Sequence, residues 1–235
     1  MTDPAGCSPV LVDCRSVARV YGTGVASVVA VADVNCQVRA GDRIALVGTS
    51  GSGKSTLLHL LGGLEQPSQG HVSWPGLPQR DGRPMDVGVV FQGPSLLPAL
   101  DVTENVALPL VLGGVGQHEA TERARAALDA VHLTEQARSL PEELSGGQSQ
   151  RAAIARVLAA TPRLVLADEP TGQLDHETAR LVIDVLLHAV DRIGAALVVT
   201  THDPLVAERL PVRWQMADGK LLGVEDDAAR PGALL

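Results

Sequence analysis

Polar and apolar positions alternate in two early stretches of the chain. Residues Val34 to Arg39 set Val34, Cys36 and Val38 on one side and Asn35, Gln37 and Arg39 on the other, the period-two pattern of a half-buried strand. Val10 to Cys14 repeats it less clearly, and the two together predict an early antiparallel sheet with one wet face. Three later runs, Ile44 to Val47, Leu164 to Ala167 and Leu197 to Val199, are short and continuously apolar, as parallel strands covered on both faces are. Each precedes a cluster of chemically capable residues, and ligands in open α/β sheets bind just beyond the carboxyl ends of strands.

Helical spacing fills the intervals. Leu57, Leu60, Leu61 and Leu64 fall at i, i+3, i+4 and i+7. Ala120, Ala124, Ala127, Leu128 and Val131 mark a second amphipathic helix, with Glu119 and Arg123 as an i,i+4 pair. A third helix is predicted from about Ser149 to Ala160, stopping at Thr161-Pro162, and a fourth after Asp175, burying Val182, Val185, Leu186 and Ala189. Between Gly93 and Leu144 strand signals give way to helical periodicity punctuated by Pro94, Pro98 and Pro109. The reading is an α/β core over about residues 10–92 and 144–223, a helical lobe over about 93–143 inserted into it, and a loose tail over about 225–235.

Composition narrows the class. With 235 residues and 45% hydrophobic content the chain can bury a sizeable core. No apolar run reaches the roughly 18 to 20 residues of a membrane span, and Met1 to Pro9 lacks the basic and apolar regions of a secretory signal, so a cytosolic protein is expected. A net charge of −8 repels a phosphate backbone, and the four aromatics, Tyr21, Trp74, Phe91 and Trp214, are too few for base stacking, which argues against nucleic acid as a partner. Cys7, Cys14 and Cys36 are odd in number and fit reduced thiols without an assigned function.

The sharpest chemical signal is Gly48-Thr-Ser-Gly-Ser-Gly-Lys54-Ser55, which matches G-x-x-x-x-G-K-[ST] between a predicted strand and a predicted helix. Glycines let successive backbone N–H groups turn around phosphate oxygens, and the helix N-terminus adds its positive dipole end. Lys54 reaches the β- and γ-phosphates and the Ser55 hydroxyl binds Mg²⁺, so the nucleotide-binding set is Gly48, Ser50, Gly51, Ser52, Gly53, Lys54, Ser55 and Thr56. The duller alternative is a Gly/Ser turn capped by Ser55 or Thr56. At the end of the second apolar strand, Asp168 suits the metal and Glu169 the attacking water.

Leu144-Ser145-Gly146-Gly147-Gln148, running into a helix, completes a series that resembles the nucleotide-binding subunit of an ATP-binding cassette (ABC) transporter, from about Val10 to Gly223. The resemblance implies a P-loop NTPase core with a parallel sheet, an N-terminal antiparallel β subdomain and an inserted α-helical subdomain. It implies an ATPase using ATP and Mg²⁺, in which two subunits, identical or similar, pack head to tail so that Ser145, Gly146, Gly147 and Gln148 of one cover the γ-phosphate held by the other. By the same resemblance Gln92 senses Mg²⁺ and water, His202 contacts the γ-phosphate and supports Glu169, Asp175 couples the two sites, and Tyr21 stacks on adenine. Each also has a plainer reading: Gln92 as a polar strand end, Asp175 as a helix N-cap, His202 as a surface histidine, Tyr21 as a core ring.

Gln173, Ser149 and Asp42 depart mildly from the family pattern and remove no catalytic group. The stretch Leu96-Leu97-Pro98, Val102 to Val106 and Leu108-Pro109-Leu110, with Leu61 to Leu64 and Ala167 to Gly172, resembles the branch of lipoprotein-release, macrolide-export and cell-division ATPases. That implies a separate integral membrane permease as partner and a cytoplasmic protein peripheral on the inner face of the cell membrane. The alternative within the family is an ATPase of a non-transport or cell-division membrane complex. A kinase or GTPase is disfavoured by residues 144–148 and by the lack of an Asn-Lys-x-Asp motif.

Overall fold

The structure is a computed structural model and describes residues 8–226. The chain divides into two compact units, one formed by residues up to Val87 together with those from Ala196 onward, the other by Gly88–Ala195. Cys7 and the expected tail beyond Asp226 lie outside the described residues.

The first unit opens with β1 (Val10–Tyr21) and β2 (Val28–Arg39), joined antiparallel, with Tyr21 opposite Val28 and Cys14 opposite Cys36. In β2 the predicted alternation holds: Val34 and Val38 are buried, Asn35 and Gln37 exposed. β1 is the central strand of three, and Leu11, Val12, Asp13 and Cys14 are all buried, so both of its faces are covered there and the alternation is lost. β3 (Arg43–Val47) leads into α1 (Lys54–Leu61). Gly62 and Gly63 stop this helix, Gly63 in the left-handed region at φ +66, so Leu64 lies past the helix and is 54% exposed rather than continuing its apolar face. β4 (Gln69–Ser73) completes the antiparallel sheet, β5 (Gln79–Arg80) and β6 (Arg83–Pro84) form a small hairpin, and β7 (Val87–Val90) crosses the unit boundary.

The second unit carries α2 (Val102–Leu112), α3 (Gln117–Ala130), α4 (Gly146–Leu158), β8 (Leu164–Asp168) and α5 (His176–Ile193), with β8 beside β7 in the sheet. α2 tolerates Pro109 in its second half and starts with a capping box between Asp101 and Glu104. Its buried Asn105 bonds Leu97, Leu100 and Asp101, fixing the loop before it. α3 buries the predicted alanines with Leu128, and Glu119 pairs with Arg123 at 2.6 Å. α4 begins three residues before the expected start, because Ser145 and Gln148 form a capping box.

The chain then returns to the first unit through β9 (Ala196–Thr201), α6 (Pro204–Ala207), β10 (Val212–Ala217) and β11 (Lys220–Asp226). β3 lies between β9 and β10 and pairs parallel with both, while β11 closes the edge antiparallel to β10. Glu225 pairs with Arg213, so the strand reaches into the expected tail. Trp214, unexplained by sequence, is buried on β10 beside Leu46. Among the described residues no helix is long and apolar enough to cross a membrane.

Candidate nucleotide site

The loop from Gly48 to Gly53 is built by close approach. A Cβ at Gly48 would stand 2.2 Å from the Met216 carbonyl oxygen and 2.6 Å from Ser52 Oγ, and one at Gly53 only 2.1 Å from the Ala30 carbonyl oxygen. Gly53 is the N-cap of α1 at φ +100, a conformation open to glycine and costly for any residue with a Cβ. The Gly219 N–H donates to the Ser52 carbonyl at 3.0 Å, so the β10–β11 turn braces the loop. Lys54 is buried, and its ammonium donates to the Gly48 and Thr49 carbonyls at 3.0 and 3.1 Å. Ser52 Oγ is buried with no hydrogen-bond partner, Ser55 is exposed on the first turn, and Thr56 is half-buried behind it.

His202 follows β9 and is exposed. It shares with Gly48 and Thr49 the lining of a cavity of about 410 Å³. Its turn is fixed by the Asp203 N–H, which donates to Thr201 Oγ1 at 3.0 Å, and by Asp203 Oδ1, which accepts from the Leu205 N–H at the start of α6. Tyr21, the last residue of β1, is 37% exposed, with the Arg19 guanidinium carbon 4.7 Å from its ring centroid.

In the second unit, Asp168 ends β8 and Glu169 follows it, both half-buried. Glu169 sits at φ +42 immediately before Pro170, a left-handed conformation that costs about 1–2 kcal/mol and turns the chain sharply at the strand tip. The space beside Gly172 is where two predicted groups converge: a Cβ there would lie 3.3 Å from Gln92 Nε2 and 3.4 Å from Glu169 Oε2. Gln92 itself is exposed beyond the end of β7.

Ser145 and Gln148 spend their side chains on the α4 capping box, while Gly146 is exposed and Gly147 is buried. A Cβ on Gly147 would meet Thr178 Cγ2 at 2.4 Å. Asp175 caps α5: Oδ1 accepts from the Glu177 and Thr178 N–H groups, and Thr178 Oγ1 donates to Oδ2 at 2.7 Å. The Thr178 backbone and hydroxyl bonds hold its carboxyl below the usual carboxylate range. The plain N-cap reading of Asp175 is therefore satisfied in the structure. Sequence reasoning missed Gln150, whose amide donates to the Phe91 carbonyl, and Arg156, whose guanidinium donates to the Pro94 and Ser95 carbonyls. It also missed Arg19, although its spacing of two from Tyr21 places both on one face of β1.

Residues 31–172 match the sequence model of the ABC transporter family. The chain belongs to that family. The lipoprotein-releasing system ATP-binding protein LolD of a Shewanella species (strain MR-4) is 40% identical over 227 residues, covering 93% of this chain and 98% of that protein. LolD of Bordetella pertussis is likewise 40% identical over 229 residues, with 94% and 99% coverage. A dimeric ATP-binding cassette in a post-hydrolysis state, bound to ADP and Pi, superposes with a TM-score of 0.81 at 34% identity, covering 92% of this chain and 99% of that one. This ABC protein is thus an ATP-binding, ATP-hydrolysing subunit of a transporter, on a P-loop α/β fold with an antiparallel β subdomain and inserted helices.

Proposed function

We propose that this chain drives a lipoprotein-release-type permease, acting on the inner face of the cell membrane as a head-to-tail dimer that closes around two ATP. The phosphate-binding part rests on one observation, the loop whose glycines exclude a Cβ at Gly48 and Gly53 and whose Lys54 lies buried against the loop carbonyls. The choice of permease rests on the 40% identity to LolD across nearly the whole chain.

Lys54 and the loop N–H groups hold the β- and γ-phosphates, and Tyr21 stacks on the base. Ser55, Gln92 and Asp168 offer hydroxyl, amide and carboxylate oxygens, a donor set that fits Mg²⁺, which takes few side chains and completes its shell with phosphate oxygens and water. When bound, the ion neutralises charge developing on the β- and γ-phosphate oxygens. Glu169 orients and deprotonates the attacking water, and His202 contacts the γ-phosphate. Ser145 to Gln148 of one protomer cover the nucleotide held by the other, and Asp175 couples the two sites. Interactions made only in the closed dimer favour closure when ATP is bound, and hydrolysis removes them.

Glu169→Gln tests this directly. With MgATP the variant should run as a dimer in light scattering while turnover collapses. A variant that remains monomeric with ATP, or one that hydrolyses at the wild-type rate, overturns the scheme. The permease assignment is tested separately by identifying the membrane protein that copurifies with the ATP-trapped variant. A partner with few spans and a large extracytoplasmic domain supports it, and a many-span permease without such a domain overturns it.

A further inference from the structure

Arg19 is an unusual neighbour for a base-binding ring. Its guanidinium stands 4.7 Å from the Tyr21 centroid, within range of a cation–π contact. It is also ion-paired, Nη2 to Glu65 Oε2 at 2.7 Å, with the two side chains only 26% and 27% exposed. Its Nε is buried with no hydrogen-bond partner, so Glu65 and the ring face between them hold the group. Glu65 is itself anchored, because the Leu64 and Glu65 N–H groups both donate to the His59 carbonyl at the end of α1. A line of contacts therefore runs from α1, the helix that begins at Lys54, through Glu65 and Arg19 to the aromatic ring at the end of β1.

An isolated exposed ion pair contributes little to stability. This one has a further effect: it fixes a cation against one side of an aromatic ring that is 37% exposed. A tyrosine at a strand end otherwise samples several rotamers, and ordering it on binding weakens the complex. With one side covered, only the opposite side is left to a flat ligand, already turned toward it, and the cation polarises the ring electrons toward itself.

We propose that Arg19 is a positioning residue for the nucleotide base: held by Glu65, it covers one face of Tyr21 and presents the other to the purine. The inference rests on the reading of Tyr21 as the base platform, and it assigns a role to two residues outside the phosphate loop and residues 145–148.

The experiment compares binding of ATP and of inorganic tripolyphosphate, which has phosphates and no base, by titration calorimetry. Arg19→Met keeps the aliphatic stem and removes the charge, and Glu65→Gln removes the anchor. Both should weaken ATP binding about three- to tenfold and leave tripolyphosphate binding where it was, with Arg19→Lys recovering most of the loss. In a Tyr21→Ala background, Arg19→Met should add no further loss. Unchanged ATP affinity in Arg19→Met, or equal weakening for both ligands, overturns the positioning role. The two readings fail differently. If Tyr21→Ala binds ATP normally, the base platform falls and this inference with it; if Tyr21→Ala is weak and Arg19→Met is not, Arg19 alone is excluded.

Discussion

Trp74 donates its indole N–H to the carbonyl of Leu61 at 2.7 Å, inside the first unit. Leu61 is the last residue of α1, where carbonyls have no helical donor, so the ring supplies the bond that water would otherwise give. Trp74→Phe keeps most of the apolar surface and leaves that buried carbonyl unsatisfied. A loss of about 1–3 kcal/mol in unfolding free energy is expected from chemical denaturation.

Gly48 fills a fixed glycine position of the phosphate motif and Gly51 a free one, and the fold separates them in the same way. At Gly48 a methyl group would collide with the Met216 backbone, which cannot yield without moving β10. At Gly51 nothing lies within 4 Å, and only the positive φ of +79 opposes a side chain. Gly51→Ala should cost about 1 kcal/mol in thermal or chemical unfolding. Gly48→Ala should cost several times more and lose ATP binding in an equilibrium assay. Equal effects at the two positions would contradict this account.

Gly147 is required to be small by Thr178. A methyl at 147 would press on Thr178 Cγ2, while the hydroxyl of the same threonine holds Asp175. Gly147→Ala should therefore lower ATPase turnover about tenfold or more, since reaction rates respond tenfold to about 1.4 kcal/mol of misplacement. Thr178→Ser, which deletes the methyl and keeps the hydroxyl, should recover much of the rate in the double variant. A double variant no faster than Gly147→Ala alone would show that Thr178 is not the obstacle.

Cys36 faces Cys14 across β1 and β2, and a hydrogen bond with Cys14, reinforced by burial, pushes its thiol well above the ordinary thiol range. Alkylation by iodoacetamide, followed by peptide mapping, should be slow at Cys36 near pH 7 and accelerate as pH rises beyond about 9. The sign for stability is the same. A raised pKa stabilises the fold below the unfolded value and loses that contribution as pH climbs through the folded one, so the stability gap between wild type and Cys36→Ala should narrow at high pH. A pH-independent gap would argue against it.

β3 and β8 were legible because each is buried on both faces and reads as an unbroken apolar run, Ile44 to Val47 and Leu164 to Ala167. β4 was not, since Gln69, Gly70 and His71 are exposed and give no apolar rhythm. Leu64 misled, because periodicity continues through Gly62 and Gly63 while the backbone does not. The phosphate loop was readable since its members are contiguous. The approach of Gln92 and Glu169 to Gly172, and of Arg19 to Glu65, depends on turns and register that no local pattern encodes.

The carbonyls of Phe91, Pro94 and Ser95 all hang from α4, one on Gln150 and two on Arg156. The segment that brackets Gln92, residues 91–95, is thus fastened at three points to the helix that starts with the Ser-Gly-Gly turn. A rotation of that helix would drag the segment along as a lever drags its linkage, so Gln92 and the Ser145-Gly146-Gly147 turn are expected to move together.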